Sequence, residues 1–104
     1  QTALAFNVHG GTGCISVTAN IAPKMVSDFQ AATSEGNYKK ALEIQDILTP
    51  LHDVMFIEPS PGPVKYAAEL LGLCTAEMRL PLTPITRETK GKVKAAMVFA
   101  GLLN

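Results

Sequence analysis

Apolar residues recur at helical spacing along most of the chain. Ala3, Leu4, Phe6 and Val8 open it in helix-like spacing, and Gly10 or Gly11 supplies the stop. Ile21, Met25, Phe29 and Ala32 mark a second helix that ends at Gly36, with Asn20 placed to cap it and Pro23 inside its first turn. Asn37 is a second candidate cap. From Tyr38 onward Ala41, Ile44, Leu48, Leu51 and Met55 form one face of a longer helix, interrupted by Pro50. An interior proline removes a backbone donor and crowds the preceding turn, which predicts a kink near Asp46 to Pro50 or a break there. "EPSPGP", Glu58 to Pro63, reads as a rigid turn, and "PVKYAAELLG" as a short helix stopped by Gly72. Leu73 to Ile85 has no clean period and contains two prolines, so it is expected to run extended over the surface. Thr86 is placed to cap a last helix carrying Val93, Met97 and Val98 toward Gly101.

One segment departs from this pattern. "CISVTA", Cys14 to Ala19, is β-branched and bounded by Gly13 and Asn20, which predicts a strand of about six residues. The expected order is therefore helix, strand, then three or four helices. A lone apolar strand among helices is the mark of a parallel sheet covered on both faces, and such a strand needs neighbours. Each buried N–H or C=O left unpaired costs on the order of 1 to 3 kcal/mol, against a net stability of about 5 to 15 kcal/mol for a typical domain. The segment is thus expected to borrow partners, by self-association, by rearrangement or from sequence outside these residues. The glycines before it do not make a phosphate loop. They lie between a helix and the strand that follows, the reverse of the order that aims backbone donors at a phosphate, and neither GxGxxG nor GK[ST] is present.

Composition narrows the function classes. The chain has 104 residues, 47% apolar and 17% charged, which bounds it to one soluble globular domain at most. Nine basic and nine acidic residues cancel without forming runs, which argues against a nucleic-acid or anionic-membrane partner. No apolar stretch approaches the roughly 18 to 20 residues of a membrane helix. Cys14 and Cys74 stand far apart without a CxxC pair, as expected of buried thiols in a reducing, cytoplasmic compartment rather than of a disulfide framework. With no initial methionine, the natural chain is expected to extend upstream of Gln1.

"GGTGCISVTANIAPK", "LTPLHDVMFIEPSPGPVKYAAELLG" and "MRLPLTPIT" together resemble the carboxyl-terminal part of the dihydrodipicolinate synthase family, in the family's order and spacing. "ISVTAN" and "RLPLTP" look more like this lysine-pathway branch than the related N-acetylneuraminate lyases. The resemblance implies an α/β fold: the end of a (β/α)8 barrel over residues 1–36, comprising helix, strand eight and helix eight, followed by a helical appendage over residues 37–104. It also implies a cytoplasmic lyase of diaminopimelate and lysine biosynthesis, a homotetramer without cofactor or metal. A lysine forms a Schiff base with pyruvate, and the product enamine condenses with aspartate semialdehyde, a tyrosine relaying protons. Those catalytic groups lie upstream in the family, so no catalytic residue maps here and these residues alone are expected to be inactive. The one pyruvate contact that maps is Ile15, in the last strand, where the barrel's active site forms. A barrel-core role for Ile15 is compatible with that. An alternative of another class is a free-standing helical module that binds partners or oligomerises through its apolar faces.

Other residues invite chemistry that their context does not support. Lys65 follows a proline turn with Glu69 four residues later, which favours an ion pair over a Schiff-base lysine. Lys24, in the first turns of its helix, is expected to be solvated. His9 and His52 are isolated from any metal-spaced set, and Asp53 beside His52 makes no triad. Tyr38 and Tyr66 fall on helices, where packing is expected. Arg79 is expected to pin the extended segment by reaching a carboxylate or backbone carbonyls.

Overall fold

The computed structural model describes residues 2–104. Gln1, with which the first expected helix and the first expected domain open, lies outside the described residues. Among the described residues five α-helices follow one another: α1 (Ala3–Val8), α2 (Pro23–Ser34), α3 (Tyr38–Val54), α4 (Gly62–Leu70) and α5 (Arg87–Phe99), with a 3-10 turn at Thr18–Asn20.

The helix boundaries follow local chemistry. Asn37 caps α3 by accepting the Lys40 N–H at 3.2 Å, and Thr86 caps α5 by accepting the Thr89 N–H at 3.2 Å. Pro23 occupies the first turn of α2, where its missing donor is harmless. The chain leaves α2 through Gly36 at φ +75°, a conformation that allows the Asn37 N–H to reach back to the Ala32 carbonyl at 2.8 Å. Asn20 does not cap α2. Ala22 holds that position without a side-chain bond, and the Asn20 amide donates to the Val17 carbonyl at 2.9 Å, closing its own turn instead.

The largest difference from the sequence expectation is at Cys14–Ala19. No strand forms among the described residues; residues 11–16 carry no regular hydrogen bonding and Thr18–Asn20 winds into the 3-10 turn. A strand is a pairing, and these residues meet no neighbouring strand among the described residues.

Pro50 does not break α3, which continues to Val54. The missing hydrogen bond and the steric crowding cost about 3 kcal/mol. Leu48, Leu51, Val54 and Met55 are buried on either side of Pro50, and each contributes about 1.5 to 3 kcal/mol by leaving water. Burial therefore wins. These side chains meet Val64 and Ala67 of α4, Val93, Ala96 and Met97 of α5, and Ile21, Ala22 and Ile85 from the connecting segments, forming the main core. Val98, by contrast, is exposed rather than part of the core. A second, smaller cluster of Phe29, Ala32 and Ala41 holds Ala3 and Leu4 of α1 against α2 and α3.

Leu73 to Ile85 runs over the surface as expected, but its fastenings differ from those the sequence suggested. Glu69 accepts the Ala76 N–H at 2.7 Å, and Lys65 donates to the Glu77 carbonyl instead of pairing with Glu69. Glu58 accepts the Thr86 N–H at 3.0 Å, and Ile85 packs over Gly62, where a Cβ would lie 2.9 Å from the isoleucine methyl. Contacts from the Thr89 hydroxyl and the Thr86 N–H hold the Glu58 carboxyl below the usual carboxylate range. Arg79 is exposed, and its guanidinium has no ion pair or hydrogen bond among the described residues, so it does not pin the segment. Both cysteines are free and exposed, which corrects the expectation of buried thiols.

Candidate functional site

Residues 11–17 cross an open cleft of about 520 Å³ whose walls come from α1, α2 and α3. Phe6, Ile15, Val17, Phe29, Leu48 and Phe56 make it mainly apolar; Gln30, Gln45 and His52 add polar groups. Ile15 is fully exposed, and Phe6 and Phe56 are more than half exposed beside the same opening. Exposed large apolar residues gathered at a cleft mark a binding surface.

Side chains hold the crossing segment, because it has no ladder of its own. At its start Gly11 lies against the Phe6 ring so closely that a Cβ would come within 2.2 Å of the ring carbons. In the middle, the Gln30 amide donates to the Cys14 Sγ at 3.3 Å. Gln30 also accepts from the Asn7 amide at 2.9 Å, and that amide donates to the Thr33 hydroxyl at 3.0 Å. At its end the buried Thr18 hydroxyl meets Nδ1 of His52 at 2.7 Å. The Asn7 Oδ1 and Gln45 Oε1 atoms are buried without a hydrogen-bond partner among the described residues.

Burial pushes the pKa of half-buried His52 below the ordinary histidine value of 6.5, although neighbouring Asp53 pulls the other way. A neutral imidazole carrying its proton on Nε2 accepts from the Thr18 hydroxyl through Nδ1. Below pH 6.5 the unfolded chain binds more protons at this histidine than the folded chain does. Its stabilising contribution is therefore full above pH 6.5 and lost as pH falls through the lower folded value. Urea titrations from pH 7.5 down to 5 should show stability falling with acidity, and the fall should be shallower in His52→Asn; identical slopes would show that His52 is not its source.

The structure brings together only some of the residues singled out from sequence. Ile15 and His52 share the cleft. His9 caps the end of α1 in solvent, and Lys24 is exposed in an ion pair with Asp28 at 3.1 Å. Lys65 is engaged with Glu77, and Tyr66 packs beneath Lys90, whose ammonium lies 5.4 Å from the ring centre. Tyr38 is exposed. No group of three or more potential metal ligands occurs among the described residues. The cleft thus offers apolar walls, an imidazole, amides and hydroxyls, which suit holding a ligand better than activating one. The Thr18–His52 and Asn7–Gln30 pairs were not legible in the sequence: their members lie 34 and 23 residues apart on separate elements, and no spacing rule connects them.

A family model for the dihydrodipicolinate synthetase family matches residues 1–99. The chain is 63% identical over 103 residues to 4-hydroxy-tetrahydrodipicolinate synthase of Parvibaculum lavamentivorans, covering 99% of this chain and 35% of that protein. It thus spans about a third of the length of the curated relatives it matches. Its backbone superposes on dihydrodipicolinate synthase of Thermotoga maritima with a TM-score of 0.95 and 36% identity, over 98% of this chain and 35% of that one. The chloride-inhibited enzyme of Acinetobacter baumannii, complexed with pyruvate, matches with a TM-score of 0.92 and 36% identity, over 98% and 35% of the two chains. Such synthases are (β/α)8-barrel enzymes, and the mostly helical architecture here is that of a carboxyl-terminal part of that α/β fold.

Proposed function

The chain belongs to the dihydrodipicolinate synthetase family, and from that premise we propose that it forms the carboxyl-terminal part of a 4-hydroxy-tetrahydrodipicolinate synthase. The whole protein is then a cytoplasmic lyase that condenses pyruvate with aspartate semialdehyde in the diaminopimelate route to lysine. Residues 1–36 complete its barrel, with Cys14–Ala19 pairing as strand eight beside neighbours from the rest of the protein. Residues 37–104 form a helical appendage that supports a homotetramer. The observation that carries this reading is the backbone match, over 98% of the chain, to a synthase complexed with pyruvate.

The Schiff-base lysine and the proton-relaying tyrosine come from the rest of the protein, and no catalytic residue is assigned here. Ile15 is assigned to substrate binding. Its exposed side chain at the cleft supports that role: an aliphatic group there packs on pyruvate's methyl and planar face and excludes water from the developing imine.

In the test, pyruvate and sodium borohydride are added to the full-length protein and to the 104-residue chain, followed by intact-mass measurement. Lysine amine and pyruvate ketone lose water to form an imine, which borohydride reduces to a stable amine. The full-length protein should gain one reduced pyruvyl group, while the chain stays at 11.0 kDa. No adduct on the full-length protein would refute the aldolase reading. An adduct on the short chain would return a nucleophilic role to one of its own lysines, with Lys65 the first to substitute.

A further inference from the structure

We propose that this chain is a preformed docking module that takes the rest of a synthase as its partner in trans, two separate polypeptides closing one barrel; this rests on the assignment of Cys14–Ala19 as strand eight given above. The backbone of residues 12–16 is open to a neighbour, since none of their N–H groups has a backbone acceptor among the described residues. The sides of the segment already alternate as in a strand: Cys14 faces the helical layer, where Gln30 of α2 donates to it, and Ile15, the next residue, is fully exposed. The walls beside it are apolar and uncovered, with Phe6 of α1 58% exposed and Phe56, just beyond α3, 62% exposed at the same cleft.

The surface is in place before any partner arrives. The helices close a core of their own, in which Leu51, Met55, Val93 and Met97 have no solvent exposure. The backbone of the chain superposes over 98% of its length on a whole synthase, with a TM-score of 0.95, so the crossing segment needs little rearrangement to pair. A surface already ordered in its bound shape loses little conformational freedom on docking, which favours association of separate chains. The occupant follows from the pairing. A last strand in a closed eight-stranded barrel lies between two neighbours, and closure leaves no open edge. A second copy of this chain offers one such segment, among the described residues, and would leave each copy with an open edge. The chain spans 35% of a relative's length, and the remainder is long enough to supply the other strands on both sides.

The experiment starts from the full-length protein with a protease site placed directly before Gln1. After cutting, the two pieces are separated in urea and then diluted together, with the uncut protein refolded alongside. The pieces should elute as one particle, and amide exchange at residues 12–16 should slow at least about 100-fold relative to the 104-residue chain alone. With pyruvate and borohydride the larger piece should gain the reduced pyruvyl group. Phe56→Ser should weaken docking at least about tenfold, as loss of an aromatic anchor does, whereas Phe99→Ser, equally exposed but outside the cleft, should stay within about twofold. Should the uncut protein not refold from urea, the two pieces are produced together in one cell and the same readouts taken. Pieces that stay apart, equal losses from both substitutions, or co-elution without protection at residues 12–16 would overturn the proposal. Protection of the chain alone through self-association would also overturn it, giving the surface to a second copy. If the uncut protein forms no borohydride-stable adduct, the aldolase reading falls, while elution and exchange still decide the docking.

Discussion

Leu51→Ala is expected to lower the unfolding free energy by about 3 kcal/mol, within the range seen when a buried leucine is truncated and its cavity stays open. Leu51 has no solvent exposure and sits in the main core with Leu48, Val64 and Met97. It also immediately follows Pro50, so its burial helps to hold α3 continuous against the proline. Truncation removes both effects. Urea unfolding followed by circular dichroism should show an earlier midpoint, with Leu42→Ala, on the exposed side of the same helix, changing stability by less than about 0.5 kcal/mol. A Leu51→Ala loss below about 1 kcal/mol would mean that α3 is held by contacts other than this core.

Ile15→Asp should have the opposite distribution of effects. Ile15 is fully exposed, so unfolding of the 104-residue chain should be nearly unchanged. On the proposed function, a carboxylate at this position in the full-length protein would stand beside the carboxylate of pyruvate. Two like charges side by side repel, and kcat/KM for pyruvate should fall about 100-fold, equivalent to about 2.7 kcal/mol of transition-state stabilisation. Ile15→Val, which keeps an aliphatic wall, should lose far less. Full activity in Ile15→Asp would remove Ile15 from the substrate pocket, whatever the fate of the aldolase reading.

These two residues show what kind of feature a sequence discloses. Leu51 was legible because Ala41, Ile44, Leu48, Leu51 and Met55 repeat with the period of a helix, and all but the half-buried Ile44 are fully buried. The caps Asn37 and Thr86 were legible because a cap acts over three residues. Ile15 became a candidate only through the family resemblance, since periodicity alone makes it one more β-branched residue. The strand expected at Cys14–Ala19 shows the limit from the other side. Its residue types favour pleated backbone, yet the pairing that defines a strand depends on residues elsewhere. The Lys65–Glu69 pair failed for a similar reason: helical spacing brought the two into reach, but backbone groups of the extended segment compete for both.

By itself the sequence determined the helices, most of their ends and the apolar faces of the core, and through its likeness the family to which the chain belongs. Those properties depend on neighbours a few residues apart or on text that can be compared directly. The tertiary structure alone decided that α3 survives Pro50, that both thiols are exposed, and that Thr18 meets His52 across 34 residues beside a cleft. Each depends on which distant groups are packed together, and on whether burial outweighs a local backbone cost.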